Sequence, residues 1–416
     1  MEEPTTYEGR LALIKENLQE VLNEEIIEDV MVKQNRALEI YWGTATTGRP
    51  HCGYFVPIMK IAQFLQAGCK VKILLADIHG FLDNLKAPIE LVQFRAEYYR
   101  FVITELLKAI NVPIEKLVFV LGSSYQLTPK YTMDLFKLSS VVTEHDAKKA
   151  GAEVVKQVDN ATLSGLIYPL MQALDEENLG VDAQFGGVDQ RKIFALAKEV
   201  LPKIGYRERA HLMNPMVPGL QGGKMSASDP DSKIDLLDIA DAVRKKVKKA
   251  QAAPKVVEEN GLLSFVEYVL LPASRLKHGK PRFEVERKDA ETLVYEDIVK
   301  MKEDYRNDVL SPQTLKPALT NALLALLEPI QAAFQASKEW QEIEKKAYPP
   351  PPVVEKKKKV KDKGSRHPGA GAAKNVQAQP DGSVEGNPEA KDAVNLGKDS
   401  SEAIEKLKLA DKAVQQ

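Results

Sequence analysis

Residues 37–77 read ALEIYWGTATTGRPHCGYFVPIMKIAQFLQAGCKVKILLAD. The two ends, ALEIYWG (37–43) and KVKILLAD (70–77), are apolar runs of strand length. Between them Ile58, Ile61, Phe64 and Leu65 recur at helical spacing. Beyond them LVQFRAEYYRFVITELLKAI (91–110) predicts a long helix and KLVFVLG (116–122) another short strand. Strands separated by helices predict an α/β fold with a doubly wound parallel sheet and helices on both faces.

In such sheets ligands gather at the carboxyl ends of the strands, and TTGRPHCGYFVP (46–57) follows one. Pro50 fixes its own dihedral and stops the strand. Gly53 removes a side chain where backbone would meet a ligand. His51 and the first N–H groups of the next helix would then face that edge, and helix N-termini bind phosphate. An ordinary strand-to-helix turn with an incidental histidine fits these residues about as well.

Three further stretches carry candidate chemistry. In GGKMSASDP (222–230) two glycines precede Lys224, and Ser226 and Ser228 flank Ala227. A glycine-rich loop carrying a lysine can close over a phosphate and neutralise charge in a transition state; a polar linker has the same composition. In YPLMQALD (168–175) Tyr168, Gln172 and Asp175 fall at i, i+4 and i+7, on one helix face. A phenol, an amide and a carboxylate together are unusual for a core stripe, although a polar face between helices is the plainer alternative. FGGVDQRKIF (185–194) sets a glycine pair before Gln190 and a helix, and serves equally as a strand-to-helix loop. His79, at a strand end, reads as a buried, satisfied histidine rather than pocket lining.

The 416 residues suffice for two domains of ordinary size. Apolar and charged fractions of 44% and 28% are those of a globular protein. A net charge of −1 leaves nucleic-acid binding to local basic patches. Two cysteines, Cys52 and Cys69, argue for a reducing intracellular compartment and supply no zinc set, so no metal site is expected. MEEPTTYEGR reads as neither a secretory nor a mitochondrial presequence, and no apolar run spans a membrane, which predicts a cytoplasmic protein. The organisation expected is an α/β domain over 1–232, a mainly helical domain over 233–346 and a disordered, basic, low-complexity tail over 347–416.

Paired in one chain, HCGY (51–54) and KMSAS (224–228) resemble the His-Ile-Gly-His and Lys-Met-Ser-Lys-Ser signatures of class I aminoacyl-tRNA synthetases. YWGTATTGRPHCGYF, IYPLMQALD, VDAQFGGVDQRKIF and HLMNPMVPGL are similar to the tyrosine-specific members of the eukaryotic cytosolic type, fungal ones above all. The resemblance covers residues 10 to 275 nearly continuously and reaches more loosely to 346. It implies a Rossmann-like catalytic core, an anticodon-binding helical domain and a homodimer. The partners implied are ATP with Mg2+, L-tyrosine and tRNA(Tyr). His51, Gly53, Tyr54, Lys224 and Met225 would bind ATP, with His51, Lys224, Ser226 and Ser228 stabilising the α-phosphate charge as the tyrosine carboxylate attacks. Tyr41 and Asp175 would bind the substrate phenol, and Tyr168, Gln172 and Gln190 its ammonium end. Lys148 and Lys149 would fall on the tRNA surface.

Several positions depart from the family pattern. Tyr54 replaces the last histidine of the first signature, and Ala227 the second lysine of the other; eukaryotic members share that loss, with potassium thought to substitute. FEVERKDAETLVYED (283–297) lacks the family's Gly-Gly, so no anticodon residue is carried across. VRKKVKKA (243–250) reads as a solvated helix face, a tRNA contact or a nuclear signal, and the resemblance tilts towards a minor nuclear pool. EKKKKVKDKGSR (355–366) reads as an electrostatic arm for RNA or as a solubilising stretch. The rival enzyme is the tryptophan-specific homologue, disfavoured by Asp175 and Tyr41. The rival of another class is an inactive paralogue acting as an RNA-binding or signalling module.

Overall fold

The computed structural model describes residues 4, 6–83, 88–112, 117–155, 162–220, 222, 233–288 and 290–350, all within one compact unit, Met1–Pro352. In chain order the α/β part runs β1 (Glu20–Leu22), β2 (Glu39–Ala45), α1 (Phe55–Gln66), β3 (Lys70–Ala76), α2 (Asp77–Leu82) and α3 (Ile89–Ala109). It continues with β4 (Leu117–Leu121), α4 (Pro129–Ser139), α5 (Leu163–Asn178), β5 (Ala183–Gly187), α6 (Arg191–Val200) and β6 (Ala210–Asn214). The sheet order is β1-β6-β5-β2-β3-β4. Strands β2 to β6 pair in parallel, while β1 lies antiparallel on β6, so the sheet is mixed at that edge rather than wholly parallel. From β2 the chain winds outward through β3 and β4, then returns to the other side with β5 and β6. The crevice between β2 and β5 is therefore the topological switch point, where such folds bind ligands.

The pleat sorts the strand side chains. Ile40, Trp42, Val71 and Ile73 join the buried core that includes α1 and α3 residues. Tyr41, Leu74 and Ala76 face the other side with Leu179 and Val181. Tyr41 is thereby aimed at the layer holding α5, in register with Gln184 of β5.

The later part contains α7 (Ala240–Lys249), a hairpin of β7 (Phe283–Arg287) and β8 (Ala290–Tyr295), α8 (Pro312–Ala336) and α9 (Lys338–Ala347). The hairpin occupies the stretch that lacks Gly-Gly. Val243 and Val247 bury the apolar side of α7, and the core is continuous from the sheet into these helices.

Folded chain extends past the expected start of the tail. Ala347 is buried, and Arg95 Nε donates to its carbonyl at 3.1 Å. Tyr348 receives the guanidinium carbons of Arg49 and Arg95 at 4.8 and 5.1 Å from its ring centroid. Placing 347–348 in the tail is thus corrected: the aromatic ring buries itself on two cations. The basic stretch 355–366 lies outside the described residues.

Trp340 pins α9 to α3. It is 1% exposed, stacks on Phe101 at 5.6 Å and meets Phe334 edge-on at 5.2 Å. Trp340→Ala should cost about 3–5 kcal/mol, read as a lower denaturant midpoint at unchanged slope.

Candidate functional site

Two clusters meet at the switch point. The first begins where β2 ends. His51 bridges Asp235, and Cys52 N–H donates to Ile234 O at 2.9 Å, strapping this turn to the segment after residue 232. His51 caps the one-turn helix Cys52–Tyr54, with Gly53 N–H donating to its Nδ1 at 3.2 Å. An accepting Nδ1 leaves the proton on Nε2. Burial, reinforced by the Lys233 charge, lowers the His51 pKa to about 4, so the ring is neutral at physiological pH.

Tyr54 has a structural place that the signature histidine pattern does not reveal. Its hydroxyl accepts from Thr44 Oγ1 at 3.0 Å and donates to Tyr99 Oη at 3.4 Å. Tyr99 donates to Gly48 O at 2.6 Å, and Tyr348 donates to the same carbonyl at 2.9 Å. Arg95 Nη1 holds Thr47 O at 2.7 Å. The loop before His51 is thus fixed by three side chains from distant parts of the chain. Beside it lies a cavity of about 240 Å³, lined among others by Trp42, His51, Gly53, Gly187, Met216 and Val217. The glycines ending β5 keep its floor low: a Cβ on Gly186 would stand 3.0 Å from Gln190 and Phe194 side chains.

The second cluster surrounds Asp175, which is fully buried. Its Oδ1 accepts from Tyr125 Oη at 2.7 Å, Gln126 Nε2 at 2.9 Å and Tyr131 Oη at 3.0 Å. Its Oδ2 has no hydrogen-bond partner. Burial raises the Asp175 pKa to about 7, against the lowering effect of those three donors. His79 Nε2 lies 3.8 Å from Oδ2 and also lacks a hydrogen-bond partner. Burial lowers the His79 pKa to about 4, and its ring meets Tyr168 edge-on at 4.6 Å. Tyr41 Oη reaches Gln172 O at 3.3 Å, and Gln172 Nε2 donates to Gln190 Oε1 at 2.7 Å.

Tyr41, Tyr168, Gln172, Asp175 and Gln190 therefore sit in one connected cluster, with His51, Gly53 and Tyr54 in the other. Lys148 and Lys149 stand exposed on the helix Glu144–Gly151, which packs through Ala147 and Ala150. Lys224, Met225, Ser226 and Ser228 lie outside the described residues. Sequence reasoning missed Tyr125, Gln126 and Tyr131, although all three follow the carboxyl end of β4, where ligands are expected. It also read His79 as satisfied, whereas Nε2 is not.

Buried polar atoms without partners are costly. An unmatched carboxylate oxygen facing an unmatched imidazole nitrogen fits a ligand hydroxyl, which can donate to one and accept from the other. Among the described residues no group of three His, Cys, Asp or Glu side chains forms a metal cage. Nor does any described helix have the length and apolarity to cross a membrane.

Residues 33–328 match the family model for class I tRNA synthetases (W and Y). The chain is 60% identical over 365 residues to the cytoplasmic tyrosine–tRNA ligase of Saccharomyces cerevisiae, covering 86% of this chain and 93% of that one. It is 53% identical over 349 residues to the Danio rerio counterpart, covering 84% of this chain and 65% of that one. The tyrosyl-tRNA synthetase of Archaeoglobus fulgidus, solved with L-tyrosine, superposes with a TM-score of 0.71 at 34% identity, covering 79% of this chain and 99% of that one.

Proposed function

The chain belongs to the class I tRNA synthetases of the W and Y family, and we propose that it activates L-tyrosine with ATP and transfers it to tRNA(Tyr). The observation that carries the choice of amino acid is the buried Asp175 Oδ2, unmatched and 3.8 Å from His79 Nε2. A tyrosine hydroxyl satisfies it; a phenylalanine ring leaves it bare. At the other end of the cluster, Tyr168, Gln172 and Gln190 hold the ammonium group.

ATP occupies the neighbouring cavity, its phosphates and ribose against His51 and the Gly53 backbone, with Tyr54 in the wall. Lys224, Met225, Ser226 and Ser228 are assigned to the same nucleotide. The tyrosine carboxylate attacks the α-phosphorus and pyrophosphate leaves. No general base is needed, since the attacking group is already ionised; positioning and charge stabilisation supply the rate. Mg2+ enters on the ATP phosphates, as it commonly does. Potassium is the further cation assigned in place of the lysine charge that Ala227 does not carry. A terminal ribose hydroxyl of the tRNA then attacks the activated carbonyl, releasing AMP. Lys148 and Lys149 are assigned to RNA phosphates. The expected test is charging: the protein should esterify labelled tyrosine to eukaryotic tRNA. Failure to charge any tRNA while still forming adenylate would refute the transfer half of the assignment.

We assign the protein to the cytoplasm, in keeping with the names of its relatives, with a minor nuclear pool directed by residues 244–249. It acts as a homodimer. Leu127, Met133, Phe136 and Leu163 are 66%, 55%, 61% and 74% exposed on and around α4 and α5, a concentration of large apolar side chains suited to burial against a second copy. Met133→Glu with Phe136→Glu should convert a dimer to a monomer in sedimentation. A wild-type monomer at micromolar concentration would contradict this.

A further inference from the structure

Among the described residues Arg49 and Lys246 are the cations whose charge Lys233 feels, and both are already engaged. Arg49 pairs with Glu344 and lies over the Tyr348 ring. Lys246 pairs with Asp238 at 2.6 Å. Lys233 is different. It is only 7% exposed, yet no carboxylate oxygen among the described residues lies within 4.0 Å of its ammonium. Among the described residues its hydrogen bond runs to the Arg49 carbonyl at 3.5 Å, the long limit of such a contact.

The backbone sets where Lys233 stands. His51 bridges Asp235 in antiparallel sense and Cys52 bonds Ile234 O. One further residue back along that segment brings Lys233 alongside the turn Cys52–Tyr54, whose Gly53 lines the cavity. Its charge is felt at His51, where it helps keep the ring neutral. Among the described residues the main acidic influence on it is the half-buried Asp235, which makes no ion pair with it. An unpaired buried ammonium is expensive, and a protein gains from keeping one where an anion arrives.

We propose that Lys233 is a phosphate-binding cation of the nucleotide site, its ammonium pairing with the triphosphate of ATP. This rests on the assignment of ATP to the His51–Gly53 cavity. The ligand class is a polyphosphate, and the charge stays in place as the α-phosphate bond to pyrophosphate breaks.

The test uses the full chain in tyrosine-dependent exchange of labelled pyrophosphate into ATP, with Lys233→Gln and Lys233→Arg. Glutamine keeps an N–H donor for the Arg49 carbonyl and removes the charge; arginine keeps both. Lys233→Gln should lower kcat/KM for ATP by about 10- to 100-fold. Its KM for tyrosine should change less than about two-fold, because the phenol pocket is untouched, and product inhibition by pyrophosphate should weaken while inhibition by AMP holds. Lys233→Arg should recover most of the loss. Unchanged ATP constants in Lys233→Gln, or equal losses for ATP and tyrosine together with a lower melting temperature, would overturn the proposal in favour of a purely structural lysine. Absence of exchange in the wild-type protein would instead remove the ATP assignment on which it rests.

Discussion

Asp175→Asn should reduce kcat/KM for tyrosine by about 10²- to 10³-fold, the cost of taking a charge-assisted partner from a buried hydroxyl. The same change should make the unliganded protein more stable. Burial raises the Asp175 pKa from 3.8 to about 7. Between those values the folded state holds a proton that the unfolded state has lost. Stability contributed by this group therefore falls as pH rises from about 4 to 7, and the full cost, on the order of 4 kcal/mol, stands above pH 7. Asparagine keeps an acceptor oxygen for Tyr125, Gln126 and Tyr131 without the charge. The melting temperature of Asp175→Asn should exceed the wild-type value most at pH 8 and converge with it near pH 4. For the wild type, the KM for tyrosine should rise on acidification from pH 8 to 6 as the carboxylate protonates, and the variant should lose that dependence. A variant both less stable and equally active would refute the role given to Asp175.

His51 should matter as much to ATP as Asp175 does to tyrosine. His51→Ala removes the Nε2 donor and the cap on the Cys52–Tyr54 turn together. Adenylate formation should drop by about 10²- to 10³-fold. His51→Asn separates the two contributions, since asparagine caps helix N-termini well. It should keep the melting temperature yet lose most of the activity, whereas alanine gives up about 1 kcal/mol more stability. Because burial holds the His51 pKa near 4, the rate should show no inflection near pH 6.5 from this ring. Full activity in His51→Asn would assign the residue to the turn alone.

The halves of the site were legible to different degrees. Strands β2 and β3 and the helix between them carry their apolar pattern locally, so the central βαβ unit is readable from residues 37–77. Asp175, Gln172 and Tyr168 are readable because helical spacing alone aligns them. Strands β1, β5 and β6 were not identified. AQFGG and AHLMN hold a buried glutamine and histidine, and their strand character comes from parallel register with neighbours far along the chain. The hairpin 283–295 does alternate as FEVER, but the missing glycine pair suggested only a changed loop. Tyr125, Gln126 and Tyr131 carry no motif of their own; the fold brings them to Asp175 over a separation of 44 to 50 residues. Tyr348 lies beside a proline run that reads as tail, yet its hydroxyl lands on Gly48, 300 residues earlier.

The central claim is that one pocket, built around Asp175, selects tyrosine for adenylation beside His51. Exchange of labelled pyrophosphate into ATP, run in parallel with tyrosine, phenylalanine and tryptophan, measures it directly. Exchange with tyrosine alone is the predicted result. Equal exchange with phenylalanine, or none with any of the three from folded protein with magnesium and potassium present, would contradict it.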